Sequence, residues 1–296
     1  MTTIIDQSIK LIAFDQDDTA LLPDGSASPE GICAIEAALN KGIIVSSVSG
    51  RNIDRSSETF RHVQKLLDRL YIIANNGSII LGPAEHGRRD LLFEQRIPAD
   101  TFQELLDYIE AREFNFVYSW LRMTDEGARD SVISNRHTAS IDAINTQGGT
   151  QVAIDQNLIG QLRTQAYPSP PKMLILPGLA QREQVLEGLK AAFGDRLYLV
   201  KTNPDRIEIM HPEVNKKTGI EFITQRHGFS LDHVMAIGDG ENDLPMLFGV
   251  GLGVIMGNAE EKVREKGEAL GLVIAPPNHE HGFAWAVRRY ALGERV

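Results

Sequence analysis

The sequence predicts an α/β protein: a doubly wound, Rossmann-like parallel sheet interrupted by an inserted α+β segment. Three observations predict it. Short apolar runs that stop at polar turns alternate with stretches of helical periodicity, the order that covers a parallel sheet with helices. This alternation breaks off near Pro83 and resumes near Pro212. At 296 residues the chain is longer than the usual single domain, so two units are expected. They are a core over 1–82 and 212–296, and an insertion over 83–211.

The first strand is read over 9–14, an apolar run that ends at Asp15, Asp17 and Asp18. Ser28-Pro29-Glu30 then has the form of an N-cap with proline at the first helical position, and Gly42 closes that helix. A second strand over 43–48 ends at Ser49-Gly50-Arg51. A helix is expected over 54–70, and a third strand over 71–74 ends at Asn75-Asn76-Gly77. In the insertion, 99–112 fits an amphipathic helix. Phe114, Phe116, Tyr118 and Trp120 alternate along a strand, and 122–150 is polar with little periodicity. Strands follow over 173–176, 197–200 and 206–210, with a helix over 181–193. The core resumes with a helix over 216–226 and a strand over 234–237 that ends at Gly238-Asp239-Gly240-Glu241-Asn242-Asp243. Strands over 250–254 and 272–274 and helices over 259–268 and 281–292 complete it.

Composition narrows the function. Hydrophobic residues make up 42% and charged ones 24%, ordinary for a globular chain. The balance of 30 basic against 40 acidic residues, −10, argues against a nucleic-acid or polybasic membrane surface. It does not argue against a small phosphorylated metabolite, because a metal and a few local cations reverse the sign inside one cavity. Cys33 is the single cysteine, so the chain forms no internal disulfide. No apolar stretch approaches the ~18 residues of a membrane-spanning helix, and no signal peptide is evident. A cytoplasmic protein is expected; its oligomeric state is not readable from the sequence.

The chemistry is concentrated at strand ends. Residues i and i+2 of a strand point the same way, so Asp15 and Asp17 can converge on one point. Two poorly solvated carboxylates need a cation to remain ionised, and oxygen ligands suit a hard ion such as Mg2+. An Asp-x-Asp-x-Thr string alone is weak, arising by chance in roughly one chain in twenty. Four polar loops, 15–19, 49–51, 75–77 and 238–243, give it weight, since parallel strands bring their carboxyl ends to one rim. There Asp239 and Asp243 would join the acids. Ser49, the amide of Gly50, Lys216 and the amide of Asn242 would stabilise phosphoryl oxygens. A carboxylate can attack phosphorus, and a second can protonate the leaving alcohol. Attack is assigned to Asp15 and acid/base work to Asp17.

These residues resemble the haloacid dehalogenase-like superfamily, and within it the Cof-type phosphatases. Phe14-Asp15-Gln16-Asp17-Asp18-Thr19 is similar to the first motif and Ser49-Gly50-Arg51 to the second. Asn215-Lys216 is similar to the third, and Gly238-Asp239-Gly240-Glu241-Asn242-Asp243 to the fourth. Weaker echoes are Asn76-Gly77, Gly257-Asn258-Ala259 and His281-Gly282-Phe283. The resemblance implies a Mg2+-dependent phosphatase of small phosphomonoesters, sugar phosphates foremost, with 83–211 as a large α/β cap of the C2B type. It implies that Asp15, Asp17 (through its backbone) and Asp239 hold Mg2+, with Asp243 acting through water. It further implies that the amide of Gln16, Ser49, Gly50, Lys216 and Asn242 hold the phosphate. Asp18 stands where the family has glycine. Lys217 likewise follows Lys216 where glycine is common, which leaves two candidate lysines.

Arg51, Asn76, Trp120 and Arg122 are the candidate substrate contacts, with Trp120 as a stacking surface for a sugar ring. Two other readings are a phosphomutase on the same scaffold and a non-catalytic sensor of a phosphorylated metabolite. An isomeric phosphoester as product would mark the first. The retained set of Asp15, Asp17, Lys216 and Asp239 argues against the second.

Overall fold

The computed structural model describes residues 8–125, 127–146, 151–164, 167–202 and 205–295. Residues 1–7 and 296 of the expected core lie outside the described residues, as do 126, 147–150, 165–166 and 203–204 of the expected insertion.

In chain order the elements begin with β1 (Leu11–Phe14), α1 (Pro29–Asn40), β2 (Ile44–Val48), α2 (Ile53–Glu58), α3 (Gln64–Leu67) and β3 (Tyr71–Ala74). Next come β4 (Ile79–Glu85), β5 (Arg88–Glu94), α4 (Ala99–Glu110), β6 (Phe116–Thr124), β7 (Gly127–Ser134), α5 (Ala139–Thr146), β8 (Ala153–Ile154) and α6 (Leu158–Arg163). Then follow β9 (Lys172–Ile175), α7 (Arg182–Phe193), β10 (Tyr198–Thr202), β11 (Arg206–Met210), α8 (Lys216–His227) and β12 (Val234–Gly238). The chain closes with α9 (Leu244–Phe248), β13 (Leu252–Ile255), α10 (Glu261–Ala269), β14 (Val273–Ile274) and α11 (Gly282–Ala286).

The pairings β3-β2-β1-β12-β13-β14 are all parallel. β1 is apolar on both faces because helices cover both. Ile12 and Phe14 pack with Ala34 and Ile35 of α1 and Phe283 of α11. Leu11 and Ala13 pack on the other side with Ile220 of α8 and Leu247 of α9. This is the doubly wound core the alternation predicts.

The insertion builds an antiparallel sheet, β10-β11-β9-β6-β7. One of its faces is covered by helices: Phe116, Tyr118, Met173 and Ile207 pack against Phe102 of α4 and Leu189 of α7. On the other face Ser119, Lys172 and Glu208 line a cavity shared with the core, and Val117, Val132 and Leu176 pack with Ile141 of α5. β4 and β5 join the two parts: β3, β4 and β5 pair antiparallel and β5 pairs with β7 in parallel, so hydrogen bonding runs across the expected boundary at 83.

Three expectations need correction. The helix read over 54–70 is broken into α2, a 3-10 turn over Arg61–Val63, and α3. Phe60 breaks it by burying its ring 6.2 Å from that of Phe14. The polar stretch 122–150 contains the strand β7 and the helix α5. Its strand period is masked because an inward position of β7 is Asp130, which is 4% exposed. The hairpin β4–β5, finally, was not anticipated as paired strands.

Candidate functional site

Parallel pairing of β1 with β12 sets Phe14 beside Ile237, so Asp15 and Asp239 emerge together just past two adjacent strand ends. The Asp15 amide donates to Ile237 O at 2.9 Å. After Asp15 the chain makes one wide turn over Gln16–Ala20. Asp18 within it is left-handed, φ 54. A short polar side chain tolerates that conformation better than most, which accounts for aspartate where the resembled motif has glycine. The turn is braced by Asn258, whose Nδ2 donates to Asp18 O at 2.7 Å.

Asp15, Asp239 and Asp243 each offer an oxygen within 4.8 Å of the others. Lys216 is brought to them by the capping of α8. Asn215 Oδ1 accepts from the amides of Lys217 (2.9 Å) and Thr218 (3.3 Å), which fixes the first helical turn. Lys216 Nζ then lies 2.5 Å from Asp15 Oδ1 and 2.5 Å from Asp243 Oδ1, with its side chain 2% exposed. Lys217 turns outward to Glu221, 3.2 Å away. Of the two candidate lysines, Lys216 alone reaches the acids. Asp243 Oδ2 also accepts from the amides of Asp239 (3.0 Å) and Gly240 (2.8 Å), so it braces the loop as well as the lysine.

The electrostatics follow from this crowding. Burial raises the Asp15 carboxyl well above the ordinary range; Lys216 opposes that, and Asp243 and Asp239 add to it. Asp239 is pushed up to about 7 by burial and Asp243, against the hydroxyl of Thr19 that donates to it at 2.7 Å. Burial acts against the charge on Lys216, yet Asp15 and Asp243 hold its amine above the usual lysine range. One ammonium among two buried carboxylates and a half-buried one stays charged and does not balance them. Such a donor set, all oxygen and short of positive charge, fits a divalent cation.

The remaining predicted residues divide. Ser49, Gly50, Arg51, Asn242 and Asp17 line one cavity of about 420 Å3 with the acids and Lys216. The Asp17 side chain is 54% exposed, and its carboxylate is held by Arg51, whose Nε donates to Oδ2 at 2.8 Å. It therefore stands at the cavity rim, apart from the three converging acids. Gln16 is buried, and its side chain donates to Ser56 O at 3.1 Å, away from the cavity. Asn76 is also buried and supports the site from behind: its Nδ2 donates to Glu208 Oε2 at 2.7 Å.

Trp120 and Arg122 are not brought to the site. The Trp120 ring lies 4.8 Å from that of Tyr167 on the helix-covered face, and Arg122 is exposed. Strand parity is the reason. Phe116, Tyr118 and Trp120 share the packed face, whereas Val117 and Ser119 face the cavity. Sequence reasoning missed Arg55, Lys172, Arg206 and Glu208, which also line it. A signal existed for two of them. Lys172 and Glu208 interrupt apolar strands at the alternate positions, where a second, polar face was available.

The profile of the haloacid dehalogenase-like hydrolases matches residues 12–287. The chain is similar to the 5-amino-6-(5-phospho-D-ribitylamino)uracil phosphatase YcsE of Bacillus subtilis, 27% identical over 97% of this chain and 98% of that one. It is also similar to the HMP-PP phosphatase of Escherichia coli, 26% identical over 86% of each. In fold it is similar to TM0651 from Thermotoga maritima, with a TM-score of 0.78, 23% identity, and coverage of 95% of this chain and 97% of that one. With that match over nearly its full length, the chain is an enzyme that belongs to the haloacid dehalogenase-like hydrolase family.

Proposed function

We propose that the protein is a Mg2+-dependent phosphatase that hydrolyses small phosphomonoesters, sugar phosphates among them, through an aspartyl-phosphate on Asp15. One observation carries the reading. Three carboxylates from two distant strand ends lie within 4.8 Å of one another, with a lysine 2.5 Å from two of them. A purely structural ion pair has no use for the surplus acids. The cavity of about 420 Å3 is of a size that suits a small metabolite.

Asp15 and Asp239 would hold Mg2+ with the backbone of Asp17, and Asp243 would stand behind them. Bound there, the ion supplies charge neutralisation that lets a phosphate dianion enter an acidic site. An oxygen of Asp15 forms a bond to phosphorus as the bond to the ester oxygen breaks. Asp17 gives its proton to that departing oxygen, which requires it to turn from Arg51. It then takes a proton from water, whose oxygen attacks phosphorus and expels the Asp15 carboxylate. Lys216, Ser49, the Gly50 amide and Asn242 meet the phosphoryl oxygens, where positioning and charge dominate the chemistry. Residues 83–211 serve as the cap that closes over the leaving group.

The test is phosphate release from a panel of metabolite phosphates with Mg2+ or with a chelator. Mg2+-dependent release that is abolished in Asp15→Asn is expected. Undiminished turnover by that variant would overturn the nucleophile assignment. An isomeric phosphoester without free phosphate would overturn hydrolysis in favour of mutase chemistry.

A further inference from the structure

The cavity is polarised, and its far end has no part in the chemistry above. The acids Asp15, Asp239 and Asp243 gather on its floor beside Lys216. Arg51 and Asp17 are matched to each other at the rim. In the roof Lys172 is matched to Glu208, 3.4 Å away, and donates to Gly50 O at 2.6 Å. The wall between them carries two further guanidiniums, Arg55 of α2 and Arg206 of β11.

These two line the same cavity of about 420 Å3. Arg55 is pulled down to about 10 by burial and by Arg51, against Asp17, and then by Arg206, against Glu208. Arg206 is lowered by burial, although Asp205 lies 3.4 Å from its Nε. Both have contacts elsewhere, but a guanidinium offers five N–H donors and a contact on one edge leaves others to the cavity. Like charges crowded in a half-buried wall are stabilised by an anion that bridges them. The rest of the roof is uncharged, aliphatic at Val117, Val132, Ile144 and Leu174 with hydroxyls at Ser119 and Thr202, and no aromatic ring among the described lining residues offers a stacking surface.

We infer that Arg55 and Arg206 form a second anion subsite, so that the preferred substrates are phosphomonoesters whose leaving group carries its own carboxylate or phosphate. This rests on the phosphatase reading for which end is cleaved. The two guanidiniums would accept the far anion while the scissile phosphoryl group sits at Asp15.

The experiment uses the full-length Asp15→Asn protein with Mg2+ and measures binding by calorimetry. The probes are 3-phosphoglycerate against glycerol 3-phosphate, and fructose 1,6-bisphosphate against fructose 6-phosphate. The acid-ended member of at least one pair is expected to bind about tenfold tighter or more. Which pair responds tells carboxylate from phosphate. Arg55→Gln and Arg206→Gln, each added to that background, are expected to erase most of the preference. Equal binding within both pairs, or a preference that neither substitution moves, overturns the subsite. If Arg206→Gln does not fold, Arg55→Gln, at the half-buried position of the two, decides alone. Hydrolysis of p-nitrophenyl phosphate by the wild-type enzyme is measured beside it. No hydrolysis with the binding preference intact would sink the phosphatase reading and leave the subsite standing.

Discussion

The Nζ of Lys216 lies 2.5 Å from Oδ1 of Asp15, although 201 positions separate the two in the chain. Asp15 leaves the end of a central strand and Lys216 opens a capped helix, so the fold fixes both partners independently. That contact makes Lys216 a fixed positive charge next to the carboxylate proposed to attack phosphorus.

Replacing Lys216 with Met is therefore expected to lower phosphate release by about 10²–10³, the usual cost of one preorganised charge-stabilising donor. Steady-state kinetics at saturating Mg2+ checks this. A kcat/KM within tenfold of wild type would remove Lys216 from the site.

Metal should stabilise the fold as well as support turnover. At a hundredfold excess over its Kd, an ion bound only to the native state adds about 2.7 kcal/mol. Thermal melts with Mg2+ and with a chelator should differ for the wild type and not for Asp239→Asn. Equal shifts in the two proteins would place the ion elsewhere.

Asp130 gives a pH signature remote from the acids. Burial pushes its carboxyl up to about 7, against the Asp54 and Ile53 amides that donate to it. The unfolded carboxyl titrates near its ordinary value of about 4. Between those values the native state holds the extra proton, so the stability that this carboxyl contributes is lost as pH rises from about 4 to 7, over the same range as that of Asp239. The total is on the order of 3–4 kcal/mol. Asp130→Asn keeps an acceptor for the Asp54 amide, 2.8 Å away, and should make the decline shallower in urea melts. Parallel pH profiles would rule it out.

Much of the site was legible because its residues sit on strand ends whose apolar runs are unmistakable. Asp15, Asp239 and Asp243 follow from position, and Lys216 from its place at the start of a helix and its resemblance to the third motif. The wall and roof were not legible. Arg55 and Arg206 belong to elements that meet only through the tertiary fold. Trp120 misled because aromatic alternation marks one face of a strand without saying which side holds helices.

Gly77 shows how closely the loops are fitted. Its φ is 107, and a Cβ there would stand 2.3 Å from the carbonyl oxygen of Asn215. Gly77→Ala should destabilise the protein by roughly 1–3 kcal/mol through backbone strain and overpacking. It should also raise KM by shifting the turn that carries Lys216. Unchanged urea midpoints and kinetics would show that the turn yields freely.

Lys172 reaches from β9 to the carbonyl of Gly50, and Glu208 from β11 to Asn76. The roof thus grips the same loop that is assigned to the phosphate. Loss of that grip would slacken the loop. Hydrogen exchange around Gly50 should then quicken in Lys172→Met, a change that a roof merely resting on the floor would not produce.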